Sequence, residues 1–260
     1  MEEDKILLSH SADLKSRADE NSMITSTNFL DLRQCSLLRS LERIKAETVK
    51  TFYYGGYDDA ERVCAVFVPS FYDINDGVLE YFNLYPEDNP LCLLKVTKDR
   101  FSSVGHRDYL GALMGLGLKR EVIGDIIYDD NGAYIITLRQ NSRFICENLK
   151  SVGRATVDIT QCDFSCLSQR KEAFEDITAF IASERLDNIV SAAFSLSRTN
   201  SVSFIQKGLV FVNSLEITKP DYKASIGDKI VVRGKGKAIF YSVNGKSKKD
   251  RLHITIKKYK

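Results

Sequence analysis

Apolar positions recur at three- and four-residue spacing near the start of the chain and in short β-type runs further on. After Thr27-Asn28, the stretch FLDLRQCSLLRSLERIKAE sets Phe29, Leu30, Leu37, Leu38, Leu41 and Ile44 on one helical stripe. Thr27-Asn28 offers side-chain acceptors suited to an N-cap, so residues 1–50 are predicted to be helical. Gly55-Gly56 breaks that register. RVCAVFVP follows as a β-rich run closed by Pro69, and then the polar stretch DINDG.

The middle of the chain gives the clearest order. LCLLKVTK (91–98) predicts a buried strand, residues 107–118 a helix, and residues 121–128 a strand. Asp130-Asn131-Gly132 predicts a turn, residues 133–138 its partner strand, residues 141–150 a helix and residues 155–159 a last strand. This βαββαβ order is that of a ferredoxin-like or RRM-like unit. An RNA-binding RRM stacks bases on aromatics of its two central strands. Here the third strand offers Tyr134 and the first offers none. A plain scaffold and a direct RNA contact both stay open. Residues 161–172 read as a connector, and from Ala173 the chain returns to a helical register.

In the last third, Leu186, Ile189, Val190 and Ala193 share one side of a predicted helix. Ser197 is placed to cap a second helix carrying Val202, Ile205 and Gln206, ended by Lys207-Gly208. LVFVN and IVVRG predict strands. Residues 237–243 and 252–258 predict a hairpin turning at Asn244-Gly245. The fold class expected is α+β, with three regions: an α-rich part at 1–85, the RRM-like domain at 86–165, and a domain at 181–260 with a two-helix face and a small twisted sheet.

Charge sharpens the picture of that last domain. Residues 183–260 hold 16 Lys+Arg against 6 Asp+Glu, whereas residues 1–182 hold 21 against 29. An acidic body joined to a strongly basic domain points to a polyanion, most simply a phosphate backbone. The six cysteines are scattered, mostly inside apolar runs, as expected of reduced thiols. Cys162 and Cys166 are four apart, but no second ligand pair follows, so no metal site is expected. No cofactor is expected either. No apolar run approaches the roughly 20 residues of a membrane span, and MEEDKILLSH lacks a signal-peptide core. A cytoplasmic location is expected.

Two helices followed by a small sheet, carrying SERLD (183–187), SR (197–198), KGLVFVN (207–213), KP (219–220) and GDKIVVRGKGK (227–237), resemble the S4 RNA-binding domain. In S4 domains the two-helix face and adjoining loop hold structured RNA. The resemblance implicates Arg185, Arg198, Lys207, Arg233, Lys235 and Lys237 in RNA binding. Arg is suited to phosphate by its planar fork, and Gly234 and Gly236 let backbone N–H groups approach. The competing readings are a flexible RGKGK turn with solvated lysines, and a salt bridge from Arg185 to Asp187 or Asp228.

TNFLD (27–31), GGYDDAER (55–62) and HRDYLGALMGLGLKREVIGDI (106–126), in that order before the S4 pattern, resemble the YlmH family of bacterial S4 proteins across nearly the whole chain. That resemblance implies no known catalysis. It also implies association with ribosomes or ribosomal RNA, in some members during rescue of stalled large subunits carrying peptidyl-tRNA, and in others a link to cell division. The partners expected are therefore structured rRNA or tRNA and the large ribosomal subunit, without DNA sequence specificity.

No P-loop, no Gly-rich dinucleotide loop and no kinase catalytic set is present; His106-Arg107-Asp108 lacks the Asn, the Gly-rich loop and the DFG that a kinase needs. The alternatives from other classes are an RNA-modifying enzyme with an active site around His106, Arg107, Asp108 and Arg62, and an assembly factor that binds protein through the acidic body.

Overall fold

The computed structural model describes residues 2–42, 48–58, 60–72, 74, 77–99, 102–168 and 174–259. Ile44 of the predicted helical stripe lies outside these residues. The chain divides into two compact units. The first comprises Met1–Gln34 and Ile44–Arg170, the second Cys35–Arg43 and Lys171–Lys260.

The chain opens with α1 (Glu2–Asn21), β1 (Thr25–Ser26) and α2 (Leu32–Glu42), and α2 from Cys35 onward belongs to the second unit. The start of α2 differs from the sequence expectation. Asp31 and Gln34 form a reciprocal cap, each side chain accepting the other's backbone N–H at 2.8 Å. Thr27 is buried instead and accepts the Ala65 N–H at 3.0 Å, tying β1 to its neighbour. β2 (Val49–Tyr54) and β3 (Cys64–Pro69) pair antiparallel, giving a three-stranded sheet in the order β1-β3-β2. The first two residues of β2, like β1, fall inside the 1–50 stretch expected to be helical. The alternating Val49, Thr51 and Tyr53 of β2 register against β3, a non-local pairing that overrides local propensity. α3 (Val78–Leu84) follows.

The βαββαβ unit is present, with one added hairpin. It comprises β4 (Leu91–Lys98), α4 (His106–Gly115), β5 (Ile123–Asp129), β6 (Gly132–Leu138), α5 (Arg139–Asn148), β7 (Ser151–Val152) and β8 (Ala155–Cys162). The strands run antiparallel in the order β5-β6-β4-β8-β7, the ferredoxin-like arrangement with β7 added at one edge. Gly132 closes the predicted turn at φ 152°, where a Cβ would sit 1.9 Å from the Val96 carbonyl oxygen.

Alternation along these strands buries both faces of the sheet. Cys92, Leu94, Val96 and Ile135 meet Tyr109 and Leu113 of α4 and Ile145 of α5. Leu91, Leu93, Ile136 and Leu138 face the other way, onto Tyr54, Val66, Val68, Val78 and Phe82 of β2, β3 and α3. Tyr134 also packs against that second cluster. Much of the face an RRM gives to RNA is thus covered here by the N-terminal elements.

α6 (Ser165–Ser168) ends the described part of this unit. The main part of the second unit starts with β9 (Phe174–Ile181), where a helical register was expected. FEDITAFI sends Ile177, Ala179 and Ile181 inward on alternate positions, and β9 pairs along its whole length with the last strand, which sequence distance hides. Next come α7 (Leu186–Ala193), α8 (Arg198–Gln206), β10 (Val210–Val212), β11 (Leu215–Glu216), β12 (Lys229–Val232), β13 (Gly236–Lys246) and β14 (Leu252–Tyr259).

The sheet order is β11-β10-β12-β13-β14-β9. Its inner face, with Phe240, Ile254 and Ile256, packs onto Leu186, Ile189 and Val190 of α7 and Ile205 of α8. The β13–β14 turn is not at Asn244-Gly245. Bulges at Phe240/Ser242 and Val243/Gly245 carry β13 on to Lys246, and the Asn244 amide donates across the strands to Thr255 Oγ1 at 2.7 Å. The turn lies at residues 247–251, closed by the Ser247 N–H on the Arg251 carbonyl at 2.8 Å.

Candidate nucleic-acid interface

The start of α7 is held by the loop at residues 219–224. The Leu186 N–H donates to the Tyr222 carbonyl at 2.8 Å, and the Asp187 N–H to the Pro220 carbonyl at 3.1 Å. These bonds satisfy helix-terminal N–H groups that would otherwise need water or a cap. They also draw Asp187 inside, where its side chain is only 1% exposed.

A buried carboxylate needs donors, and two arginines supply them. Arg185 Nε donates to Asp187 Oδ1 at 3.0 Å and Nη2 to Oδ2 at 3.1 Å. The Asn188 N–H adds a bond to Oδ1 at 3.0 Å. Arg198, the first residue of α8, reaches Oδ2 with Nε at 3.4 Å and Nη2 at 3.5 Å. Burial opposes ionisation of Asp187, but the bonds and charge of Arg185, followed by those of Arg198, hold its carboxyl below the ordinary value. In turn the hydrogen bond to Asp187 raises the Arg185 pKa. Arg185 and Arg198 still expose 41% and 67% of their side chains. One buried anion therefore orients two guanidinium forks that stay partly exposed. Asp228, the other candidate partner of Arg185, accepts from Asn213 Nδ2 and the Ser225 N–H, both at 2.8 Å.

The predicted Ser197 cap is in place, its Oγ accepting the Asn200 N–H at 3.2 Å. α8 spans nine residues, about 13 Å. Lys207 sits exposed just past its far end. Beside that end lies the RGKGK turn. The Arg233 N–H donates to the Leu209 carbonyl and the Lys235 N–H to the Val232 carbonyl, both at 2.9 Å. Lys235 Nζ lies 6.0 Å from the Phe204 ring of α8. Gly234 takes φ 77°, and a Cβ there would meet nothing within 4 Å, so its backbone is open to a ligand.

Five of the six predicted residues thus form two exposed basic groups, Arg185 with Arg198, and Lys207 with Arg233 and Lys235. Lys237 is placed differently. It is 9% exposed, with its ammonium 4.2 Å from the Tyr259 ring, because strand alternation turns it onto the outer face of the sheet.

Two residues of the enzyme alternative, Asp108 and Arg62, serve separate local roles. Asp108 accepts the Gly105 N–H at 2.8 Å and caps α4. Arg62 donates to the carbonyls of Ile123 at 3.0 Å and of Phe29 and Arg120 at 3.3 Å. Among the described residues no group of three or more His, Cys, Asp or Glu is arranged to hold a metal. All six cysteines are free thiols, and burial followed by the neighbouring Cys166 pushes Cys162 up to about 12.

Comparison with known proteins fits this geometry. Residues 86–166 match the family described as "Putative RNA-binding domain in YlmH", and residues 184–230 match the S4 domain. The Bacillus subtilis (strain 168) protein named "Ribosome-associated protein quality control protein P2" is 30% identical over 260 residues, covering 99% of this chain and 96% of that one. This chain belongs to the YlmH family. A solved structure titled "Cell division protein ylmH from Streptococcus pneumoniae" aligns at TM-score 0.49 and 19% identity over 63% of this chain and 93% of that one.

The YlmH motifs of the first unit meet in one polar knot. Asp125 accepts the Glu61 N–H at 2.7 Å, the Arg62 N–H at 3.1 Å and the Tyr57 hydroxyl at 2.9 Å. The Phe29 N–H donates to the Glu121 carbonyl at 2.8 Å. Arg120 donates to the Gly124 carbonyl at 3.1 Å, and burial, then the charge of Arg62, lowers its pKa to about 10. TNFLD, GGYDDAER and KREVIGDI are thus stitched together as structure. Sequence reading missed the positioning role of Asp187; its one signal was an acid two residues after Arg185, at the mouth of a helix.

Proposed function

We propose that the protein binds structured ribosomal RNA or tRNA on the large ribosomal subunit through its S4 domain, without catalysis, and acts in ribosome-associated quality control. The observation that carries this reading is the pair of exposed guanidinium forks fixed by buried Asp187, at the N-terminal end of α8. An N-terminus of this kind also favours phosphate. Lys207, Arg233 and Lys235 extend the contact along α8. The name of the Bacillus relative supports the ribosomal setting. A cytoplasmic location follows from that setting, and no helix among the described residues is long and apolar enough to cross a membrane.

The test is co-sedimentation of the full-length protein with separated large and small ribosomal subunits. Association with the large subunit, weakened in Arg198→Gln, is expected; equal binding to both subunits, or none, contradicts the reading. Catalysis is tested on the same sample. Ribosomal RNA and tRNA would be incubated with the protein and S-adenosylmethionine or ATP, digested, and their nucleosides weighed. A new nucleoside dependent on Asp108 would overturn the non-catalytic assignment.

A further inference from the structure

The outer face of β9, β14 and β13, turned away from α7 and α8, carries aromatic rings and cations that the S4 contact does not use. Phe180 and His253, cross-strand partners, stack with centroids 4.8 Å apart and planes at 22°. Phe180 is 49% exposed. Tyr241, the extra residue of the first β13 bulge, is 50% exposed, and Lys257 Nζ lies 3.9 Å from its ring centroid. Lys257 also faces the Phe174 ring at 5.7 Å and pairs across the strands with Asp176. Next to the Phe180–His253 pair lies the hairpin tip, KSKKDR at 246–251, with four exposed cations and one acid. Arg251 donates to the Phe180 carbonyl, binding the tip to the aromatic pair. Lys246 is engaged by Asp250 at 2.7 Å, while Lys248 and Lys249 extend into solvent.

Exposed flat rings on a sheet, bordered by cations, are what unpaired bases and their phosphates require. Phe180, backed by His253, and Tyr241, approached by Lys257, each leave about half of their surface to a base, and the tip offers charge to the backbone. An aliphatic protein-docking patch would lack the interleaved lysines. We infer that this face binds an unpaired, single-stranded RNA segment by stacking bases on Phe180 and Tyr241, with phosphates on Lys248 and Lys249. The domain would then grip structured RNA on its helical face and a flanking single strand on the opposite face of the same sheet. In the first unit the corresponding RRM face is covered, so this sheet is the better stacking platform of the two.

The test uses full-length protein and a fluorescein-labelled 12-nucleotide oligouridine containing 4-thiouridine. Anisotropy should report saturable binding. Phe180→Leu, which keeps apolar packing but removes the ring, should weaken it about tenfold. Lys248→Glu with Lys249→Glu, at positions exposed on the tip, should weaken it by a similar factor and gives the answer even if Phe180→Leu fails to fold. Photocrosslinks mapped by mass spectrometry should fall on Phe180, His253 or Tyr241. Unchanged binding in the tip variant, crosslinks confined to residues 185–207, or no oligouridine binding by the parent would overturn the inference. Loss of large-subunit binding in Arg198→Gln, with oligouridine binding kept, leaves the two surfaces separately established. Absence of large-subunit binding in the parent, with ring-dependent oligouridine binding intact, would sink the proposed function and leave this site standing.

Discussion

Both units pair aspartate with arginine, and the two pairings do opposite work. In the first unit, Arg62 and Arg120 turn inward and spend their N–H groups on the carbonyls of Phe29, Arg120, Ile123 and Gly124, beside Asp125. In the second, Asp187 is inside and its two arginines point out, 41% and 67% exposed. The same residue types seal one unit and open the other. What decides between them is where the guanidinium N–H groups are spent. A half-buried cation facing carbonyls is consumed by the fold, whereas a buried anion at a helix start leaves its cations half exposed for a ligand.

The comparison breaks most visibly at Arg62. Arg62→Met removes bonds to three carbonyls and should cost the first unit about 3 kcal/mol, read as an earlier urea transition, while RNA affinity of the folded protein stays unchanged. A weakened RNA contact in folded Arg62→Met would mean that the knot is not purely structural.

The mirror experiment is Arg185→Gln with Arg198→Gln. Binding to structured RNA should fall by about 2 kcal/mol, roughly thirtyfold, measured where the variant is folded, because the double change also takes donors from the buried Asp187 carboxylate and lowers the melting temperature. Unchanged RNA affinity in the folded variant would move these arginines into the structural class.

Asp187→Asn should have a smaller effect on binding, about 1 kcal/mol, since the forks lose only their organiser. Its sharper signature is in pH. Asp187 is held below its ordinary value of 3.8, so its contribution to stability is complete above that value and is lost as pH falls through the lower folded value. Asp125 is shifted the other way, raised chiefly by burial. Its folded form keeps a proton that the unfolded chain has released, so it costs stability as pH rises from 3.8 through the raised value. Acid unfolding curves of Asp187→Asn and Asp125→Asn should therefore deviate from the parent in opposite senses. The smallest effect expected is at Gly124, whose added Cβ would lie 2.7 Å from the Phe29 ring. Gly124→Ala should cost about 1 kcal/mol of stability by overpacking and leave RNA binding alone.

The elements legible in the sequence were those whose signal is local. The βαββαβ unit shows itself through unbroken apolar strands and the Asp130-Asn131-Gly132 turn, and α8 through its Ser197 cap. β9 was hidden because Glu175, Asp176 and Thr178 obscure its alternation and its partner, β14, lies far along the chain. The true β13 turn was hidden because Asn244-Gly245 imitates one, and only the two bulges reveal that the strand runs on. Arg185 and Arg198 could be picked out by charge and position, but the carboxylate that orients both could not be ranked above Asp228 without the fold. Lys237 reads as surface in the sequence, whereas its place in the strand lays it against Tyr259.

The central claim is that the outward arginines of the S4 domain make phosphate contacts to structured RNA. It is tested most directly by the salt dependence of binding between the full-length protein and purified large-subunit ribosomal RNA. The log–log slope should be roughly −3 to −6 for about four to six phosphates, and shallower by about 1 to 2 in Arg185→Gln with Arg198→Gln. A flat slope in the parent, or the same slope in parent and variant, would contradict it.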